Sequence, residues 1–101
     1  MKRVLLVCGS GASSGFMATS IRKAVQKRKL DISVDARSDS ELDNYIDNID
    51  CLMIGPHLKY LEAEIAEKAA TKNVKVAIMD PKYYSILDGE LALDHILQLL
   101  K

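Results

Sequence analysis

The chain of 101 residues is 49% apolar and carries 14 basic and 14 acidic side chains, so its formal net charge is zero. That length and apolar content suit one domain with a modest core, and we expect residues 1–101 to form it. No block of like charge is present, which argues against a protein that binds nucleic acid or an anionic membrane surface.

The N-terminal apolar run ends too early for a signal peptide. It extends only from Val4 to Cys8 before glycines and serines begin, so it predicts a strand. No other stretch approaches the roughly eighteen apolar residues of a membrane span. We therefore expect a cytoplasmic protein that reaches a membrane only through a partner.

Short apolar runs alternate with amphipathic stretches along the whole chain. Four runs rich in Val and Ile predict buried strands: Val4–Val7, Ile32–Ala36, Cys51–Ile54 and Val74–Ile78. Apolar residues at helical spacing predict helices between and after them: Met17–Val25, Leu42–Ile49, Leu58–Ala69 and Leu93–Leu100. Ser38 and Glu41 have the spacing of a capping box for the second of these helices.

This β/α alternation predicts an α/β fold of three layers, with a four-stranded parallel sheet between helices on both faces. Such an arrangement resembles the flavodoxin-like and low-molecular-weight phosphatase folds. Active groups in such sheets lie at the carboxyl ends of the strands. We therefore look for chemistry in four loops at that edge: 8–15, 37–40, 55–57 and 80–89.

The first of these loops has the composition of an anion-binding segment. It contains Cys8, three glycines and three serines in eight residues. Glycines let backbone N–H groups turn inward, and the helix that follows adds the positive end of its dipole. Ser13 or Ser14 is expected to cap that helix.

Cys8 is the candidate nucleophile, because positive potential at such a loop favours the thiolate, which is the reactive form. The same N–H and hydroxyl groups would hold a phosphoryl group on its sulfur. The alternative is a small buried cysteine beside a tight turn.

Other phosphate-binding motifs fit this loop less well. Gly9, Gly11 and Gly15 have one residue too many for a dinucleotide fingerprint, and no Lys follows the last glycine as a Walker loop requires. A low-molecular-weight cysteine phosphatase would carry C-x-x-x-x-x-R, but Ser14 occupies the arginine position. Without that guanidinium, rapid hydrolysis is disfavoured.

Three ordered motifs together resemble the enzyme IIB proteins of the phosphoenolpyruvate-dependent sugar phosphotransferase system, in the lactose, cellobiose and chitobiose class. The motifs are Val4–Cys8 followed by C-x-x-G-x-S-S, then Gly55–Leu61, and finally Met79-Asp80 with Tyr84 and Asp88-Gly89. The sequence departs from the family where Ala12 replaces a common methionine and Gly15 a common serine or threonine. The resemblance covers nearly the whole chain.

The resemblance implies a phosphotransferase in which Cys8 becomes phosphocysteine. Its phosphoryl group would come from a histidine of the A component and pass to a sugar in the membrane-embedded C component, with no cofactor. The sugar class would be β-linked disaccharides such as cellobiose, chitobiose or lactose. The phosphate-binding loop of the family corresponds to Gly9, Ser10, Gly11, Ala12, Ser13, Ser14 and Gly15.

Residues near the same edge are candidates for a docking surface: Phe16, Met17, Pro56, His57 and Tyr84. Three residues leave alternatives open. His57 could shuttle a proton, although the family often has an amide at this position. Asp80 could either tune the reactivity of Cys8 or begin a turn. Tyr83 could either dock or pack inward.

The remaining cysteine and histidine residues do not indicate a metal site. Cys8, Cys51, His57 and His95 lack the spacing of zinc ligands, so we predict no metal. Strand geometry separates the two cysteines by roughly 10–15 Å, which predicts two free thiols. We expect His95 on the surface and a monomer that meets its partners transiently.

Overall fold

The computed structural model of the chain describes residues 2–8 and 12–101; the side chains of Cys8, Ala12, Ser13 and Ser14 lie outside the description. Four parallel strands form one sheet in the order β2-β1-β3-β4. All four predicted strands are therefore confirmed, with small changes at their ends. They are β1 Lys2–Cys8, β2 Ile32–Ser38, β3 Cys51–Ile54 and β4 Lys75–Ile78.

Side chains of β1 alternate between two apolar cores, as the two-residue period of a strand requires. Val4 and Leu6 pack into the core that contains α1 (Ala12–Lys27) and α5 (Gly89–Leu99). Leu5 and Val7 pack into the opposite core, beneath α2 (Leu42–Tyr45) and α3 (Glu62–Ala70). Helices thus cover both faces of the sheet, and the predicted three-layer α/β fold is confirmed.

Helix α1 begins earlier than the sequence indicated. Its first residue is Ala12, so residues 12–15 form its first turn rather than part of a loop. Ser13 and Ser14, which we predicted as caps, therefore lie within the first turn and not before it, where a capping residue stands; their side chains lie outside the described residues.

The segment between β4 and α5 contains a short helix, α4 (Pro81–Ser85), where we had predicted only a loop. Asp80 caps it: the Asp80 side chain accepts a hydrogen bond of 2.9 Å from the backbone N–H of Lys82. Pro81 suits the first position of a helix because no intrahelical partner is needed there. The structure therefore supports the turn-starting alternative for Asp80.

The capping box at Ser38 and Glu41 is not formed. Ser38 does precede a 3-10 turn (Asp39–Glu41), but its side chain makes no capping hydrogen bond. Its hydroxyl lies 2.8 Å from the hydroxyl of Ser40 instead. The carboxylate of Glu41 lies 3.7 Å from the guanidinium of Arg37, so each member of the predicted pair has another partner.

Helices α1 and α5 pack with almost no space at one point. Asp88 caps α5 by accepting hydrogen bonds of 3.1 Å from the N–H groups of Glu90 and Leu91. Gly89, the first helical residue, lies directly against the backbone of Ser20 on α1. The Asp88-Gly89 pair thus starts α5 and allows its close approach to α1.

Cys51 is a free thiol buried at the start of β3. Burial raises the pKa of this thiol to about 12, and the charge of Asp50 adds to the rise. The unfolded chain loses this proton near pH 9, and the folded chain retains it. Stability from this group is therefore present below about pH 9 and is lost as the pH rises towards 12.

We expect the free energy of unfolding to fall by about 1 kcal/mol more between pH 9 and pH 10 in the wild type than in Cys51→Ala. Urea titrations in reductant at both pH values would measure this difference. Tyr83 and Cys8 are present in both proteins, so their own titrations cancel in the comparison. Parallel pH dependence of the two proteins would contradict a buried, protonated Cys51.

Candidate functional site at the carboxyl edge of the sheet

Cys8 ends β1, between two neighbouring strands. Its backbone pairs in register with Ser38, the last residue of β2. On the other side, Val7 pairs with Ile54, the last residue of β3. The ends of β2 and β3 therefore flank the candidate nucleophile at the end of β1.

The predicted phosphate-binding loop is described only in part. Gly9, Ser10 and Gly11 lie outside the described residues, and α1 begins directly after them at Ala12. The amino end of this 16-residue helix follows Cys8 by only a few residues. The positive end of a helix dipole near this position favours both a thiolate and a bound anion.

Gly15 has space around it within the first turns of α1. Among the described residues, nothing lies within 4 Å of the position that a Cβ would take there. Its carbonyl accepts a hydrogen bond of 3.1 Å from the side-chain hydroxyl of Thr19, one helical turn later. Within the described part of the chain, no close backbone approach therefore requires a glycine at this position.

His57 folds back towards the end of β1. The Gly55 N–H donates a hydrogen bond of 2.9 Å to the carbonyl of Val7. A Cβ at Gly55 would lie 2.8 Å from Cε1 of His57 and 3.3 Å from the oxygen of Val7. The missing side chain at position 55 thus leaves room for the imidazole beside the residue that precedes Cys8.

The His57 ring also faces Tyr84 on α4, with ring centroids 6.2 Å apart and planes inclined by 43°. His57 is exposed, Tyr84 is half-buried, and Pro56 beside them is half-buried. The structure therefore brings together three of the predicted surface residues from the ends of β3 and β4.

Phe16 and Met17 are adjacent in sequence but differ completely in exposure. The Phe16 side chain is 67% exposed, whereas Met17 is fully buried in the core beneath α1. Successive residues of a helix point about 100° apart, and here the second one faces the sheet. The prediction that Met17 lines a docking surface is wrong for this reason.

Tyr83 packs inward, which decides between its two alternatives. Its hydroxyl lies 2.7 Å from Nδ1 of His95 on α5, and burial raises the pKa of Tyr83 to about 12. The expectation that His95 is a plain surface residue is wrong, because its ring holds α4 against α5. This pairing joins residues twelve positions apart on different helices, so no local sequence signal indicates it.

Two further features of this edge were not predicted from the sequence. Ile86, between α4 and α5, has 69% of its surface exposed, an unusual position for a large apolar side chain. The hydroxyl pair of Ser38 and Ser40 lies at the end of β2, next to Cys8 in register. The segment 37–40 was expected at this edge, but the register that brings Ser38 to Cys8 is a tertiary property.

Two further properties concern only the described ranges, 2–8 and 12–101. None of their helices is both long and apolar enough to cross a membrane. Their His, Cys, Asp and Glu side chains form no group of three that could hold a metal ion.

A family model described as the lactose/cellobiose-specific IIB subunit of the PTS, the phosphotransferase system, matches residues 3–95. The chain belongs to this IIB family. The match extends from the second residue of β1 well into α5, so it includes every strand and the edge described above.

Two curated EIIB proteins are similar to this chain over almost their full lengths, and a longer EIICB protein is similar over part of its length. The oligo-beta-mannoside-specific EIIB component of Bacillus subtilis is 27% identical over 100 residues, covering 99% of this chain and 97% of that protein. The galactose-specific EIIB component of Lactococcus lactis is 25% identical over 97 residues, covering 91% and 90%. The lactose-specific EIICB component of Lacticaseibacillus casei is 24% identical over 95 residues, which is 92% of this chain but 16% of that longer protein.

Solved IIB structures have the same fold. The lactose-specific IIB component domain from Streptococcus pneumoniae superimposes with a TM-score of 0.91 at 15% identity, covering 99% of this chain and 98% of that one. The cellobiose-specific IIB component from Borrelia burgdorferi gives a TM-score of 0.79 at 21% identity, covering 97% and 90%. At these identities the likeness supports the fold alone.

Proposed function

We propose that this IIB protein carries a phosphoryl group on Cys8, received from the A component and delivered to a sugar bound by the C component. The observation that supports the proposal is the position of Cys8, which ends an inner strand of the sheet just before the amino end of α1. Membership of the IIB family supplies the reaction class, a phosphotransfer that accompanies sugar transport.

Two in-line displacements make up the proposed cycle. In the first, the Cys8 thiolate attacks phosphorus on a phosphohistidine of the A component. The S–P bond forms, the P–N bond breaks, and the imidazole keeps the electron pair and takes up a proton. In the second, a sugar hydroxyl oxygen attacks the same phosphorus, the S–P bond breaks, and the hydroxyl proton passes to a base. The Cys8 thiolate is regenerated.

The loop chemistry favours a carrier over a hydrolase. Position 14 holds serine where a cysteine phosphatase of this loop type has arginine. Loop N–H groups and hydroxyls would bind the phosphoryl oxygens, namely those of Gly9, Ser10, Gly11, Ala12, Ser13, Ser14 and Gly15. Without a guanidinium to stabilise the transition state of hydrolysis, we expect phosphocysteine to persist until a partner arrives.

The proposed partners are the A component and the membrane-embedded C component, with the chain acting as one cytoplasmic IIB domain and as a monomer. The Lacticaseibacillus casei relative is named as an EIICB component, which is consistent with direct contact between B and C parts. The proposed sugars are β-linked disaccharides of the cellobiose, chitobiose or lactose type, in keeping with the names of the family and its relatives.

Both partners must approach Cys8 closely, so we assign the exposed apolar and aromatic residues around it to the docking surface. This surface consists of Phe16, Pro56, His57 and Tyr84, to which we add Ile86. Aromatic residues at the centre of an interface contribute much of its binding energy. Phe16, near the start of α1, is a large apolar side chain with 67% of its surface exposed.

Phe16→Ala is expected to raise the KM for the A component about five- to tenfold, because one buried aromatic contact is lost on docking. Leu91→Ala is the control of similar chemistry, since Leu91 is half-exposed on α5, outside the assigned docking surface, where it borders Lys82, Asp94 and Gln98. Steady-state phosphotransfer at varied A component measures both. Equal KM values for the two variants would show that Phe16 does not contribute to docking.

The direct test of the carrier function is intact mass after incubation with phosphoenolpyruvate, the general phosphotransferase proteins and a lactose- or cellobiose-type A component. We expect a gain of one phosphoryl group, and peptide fragmentation should assign it to Cys8. No gain with several competent A components, or rapid turnover of aryl phosphates instead, would refute the carrier function.

A further inference from the structure

The end of β2 places two hydroxyl groups beside the proposed phosphorylation site. Ser38 pairs in register with Cys8, and neighbouring strands of a sheet lie about 4.8 Å apart. Ser38 is therefore adjacent to Cys8 through the sheet, although thirty positions separate them in sequence.

The Ser38 hydroxyl has no capping role in its own segment. It precedes a 3-10 turn without capping it, and its oxygen lies 2.8 Å from that of Ser40. Ser38 is half-buried and Ser40 is exposed, so the pair is held in place yet open to the edge.

The Ser38 and Ser40 hydroxyls together carry one O–H donor more than their mutual hydrogen bond needs. Each hydroxyl carries one O–H donor and two acceptor lone pairs. The mutual bond uses one of the two O–H groups, and no other described residue hydrogen-bonds to either hydroxyl, so the second is available for an outside acceptor. A phosphoryl group with nearly two negative charges is a strong acceptor, and charge-assisted hydrogen bonds are about twice as strong as neutral ones.

Arg37, the positively charged residue of β2, has partners other than the proposed phosphoryl group. The Arg37 guanidinium donates a hydrogen bond of 2.8 Å to the carbonyl of Ala36, lies 5.1 Å from the ring centroid of Tyr45 and is 3.7 Å from Glu41. These contacts hold it on the side of α2. Ser38 is thus the polar group of β2 best placed to meet a phosphoryl group.

We infer that the Ser38 hydroxyl donates a hydrogen bond to the phosphoryl group on Cys8, with Ser40 as the positioning residue that holds it. This inference rests on the proposed function. Ser38 forms no covalent bond in either transfer step; it stabilises the negative charge on the phosphoryl oxygens. The site therefore includes a donor from β2 in addition to the loop after β1.

Ser38→Ala is expected to slow phosphoryl uptake from the A component about tenfold, because one hydrogen bond to a charged group is lost. Ser40→Ala should slow it about two- to threefold, since Ser38 keeps its donor but loses its anchor. Ser38→Thr keeps the hydroxyl and should remain within about twofold of the wild type. Ser33→Ala is the matched control, because Ser33 is half-buried near the other end of β2, opposite Arg3.

Rate measurements would be paired with the ³¹P chemical shift of the phosphorylated protein and with thermal unfolding to verify folding. We expect Ser38→Ala to shift the phosphorus resonance and Ser33→Ala to leave it unchanged. If the wild type takes up phosphate and Ser38→Ala matches it in rate and in shift, the inference about Ser38 is wrong while the carrier function stands. Equal loss in Ser38→Ala and Ser38→Thr would reveal a merely structural role, and no uptake by the wild type would refute the carrier function itself.

Discussion

Replacing Cys8 with serine is expected to reduce phosphoryl uptake by about a thousandfold or more, to the background of the assay. A serine hydroxyl stays protonated near neutral pH, whereas a cysteine beside the amino end of α1 can supply a thiolate. The side chains differ in a single atom, so we expect the fold to be unaffected. Time-resolved intact mass with phosphoenolpyruvate and the A component measures the loss.

Cys51→Ala is the matched control for this experiment. Cys51 pairs with Val4 in register, at the opposite end of β3 from the candidate site. The buried thiol is outside the proposed chemistry, so this variant should take up phosphate at the wild-type rate. Loss of uptake in Cys51→Ala together with full activity in Cys8→Ser would overturn the assignment of the nucleophile.

Replacing Gly89 with alanine is expected to lower the free energy of unfolding by about 3 kcal/mol or more, the upper range for overpacking. An added Cβ would overlap the backbone carbonyl group of Ser20, and backbone atoms inside a packed helix cannot move aside cheaply. For a chain of this length the melting temperature should fall by about 12 °C or more. Calorimetry or circular dichroism during heating measures the change.

Gly15→Ala provides the control of opposite sign. Gly15 lies in α1 with no described residue within 4 Å of an added Cβ, and alanine favours a helix over glycine by up to about 1 kcal/mol. This variant should therefore unfold at the same or a higher temperature. If the two variants lose stability equally, close contact between α1 and α5 is not what requires glycine at position 89.

The pattern of apolar residues was sufficient to predict the sheet and its two covering layers. The strand runs were short, continuous and rich in Val and Ile, and the helices had apolar residues at helical spacing, so local composition and spacing decided them. The position of Cys8 at a strand end followed from the same pattern, because the polar, glycine-rich segment begins right after it. Membership of the IIB family agrees with the resemblance in the three motifs.

Local patterns were less reliable where one side chain had several possible partners. Ser38 and Glu41 had the spacing of a capping box, but Ser40 and Arg37 lay close enough to compete for them. Met17 was assigned to the docking surface although its spacing with Ile21 and Val25 places it on the apolar face of α1, and that face packs on the sheet.

The sequence by itself determined the four strands, the longer helices, their order and the residue that ends β1, since these depend on composition and on spacing between near neighbours. Tertiary structure alone decided which distant residues meet: Ser38 with Cys8 through strand register, Tyr83 with His95 across two helices, and Gly89 with Ser20 at the contact of α1 and α5. Such contacts depend on strand register and helix packing, which the whole core sets at once and no local segment encodes.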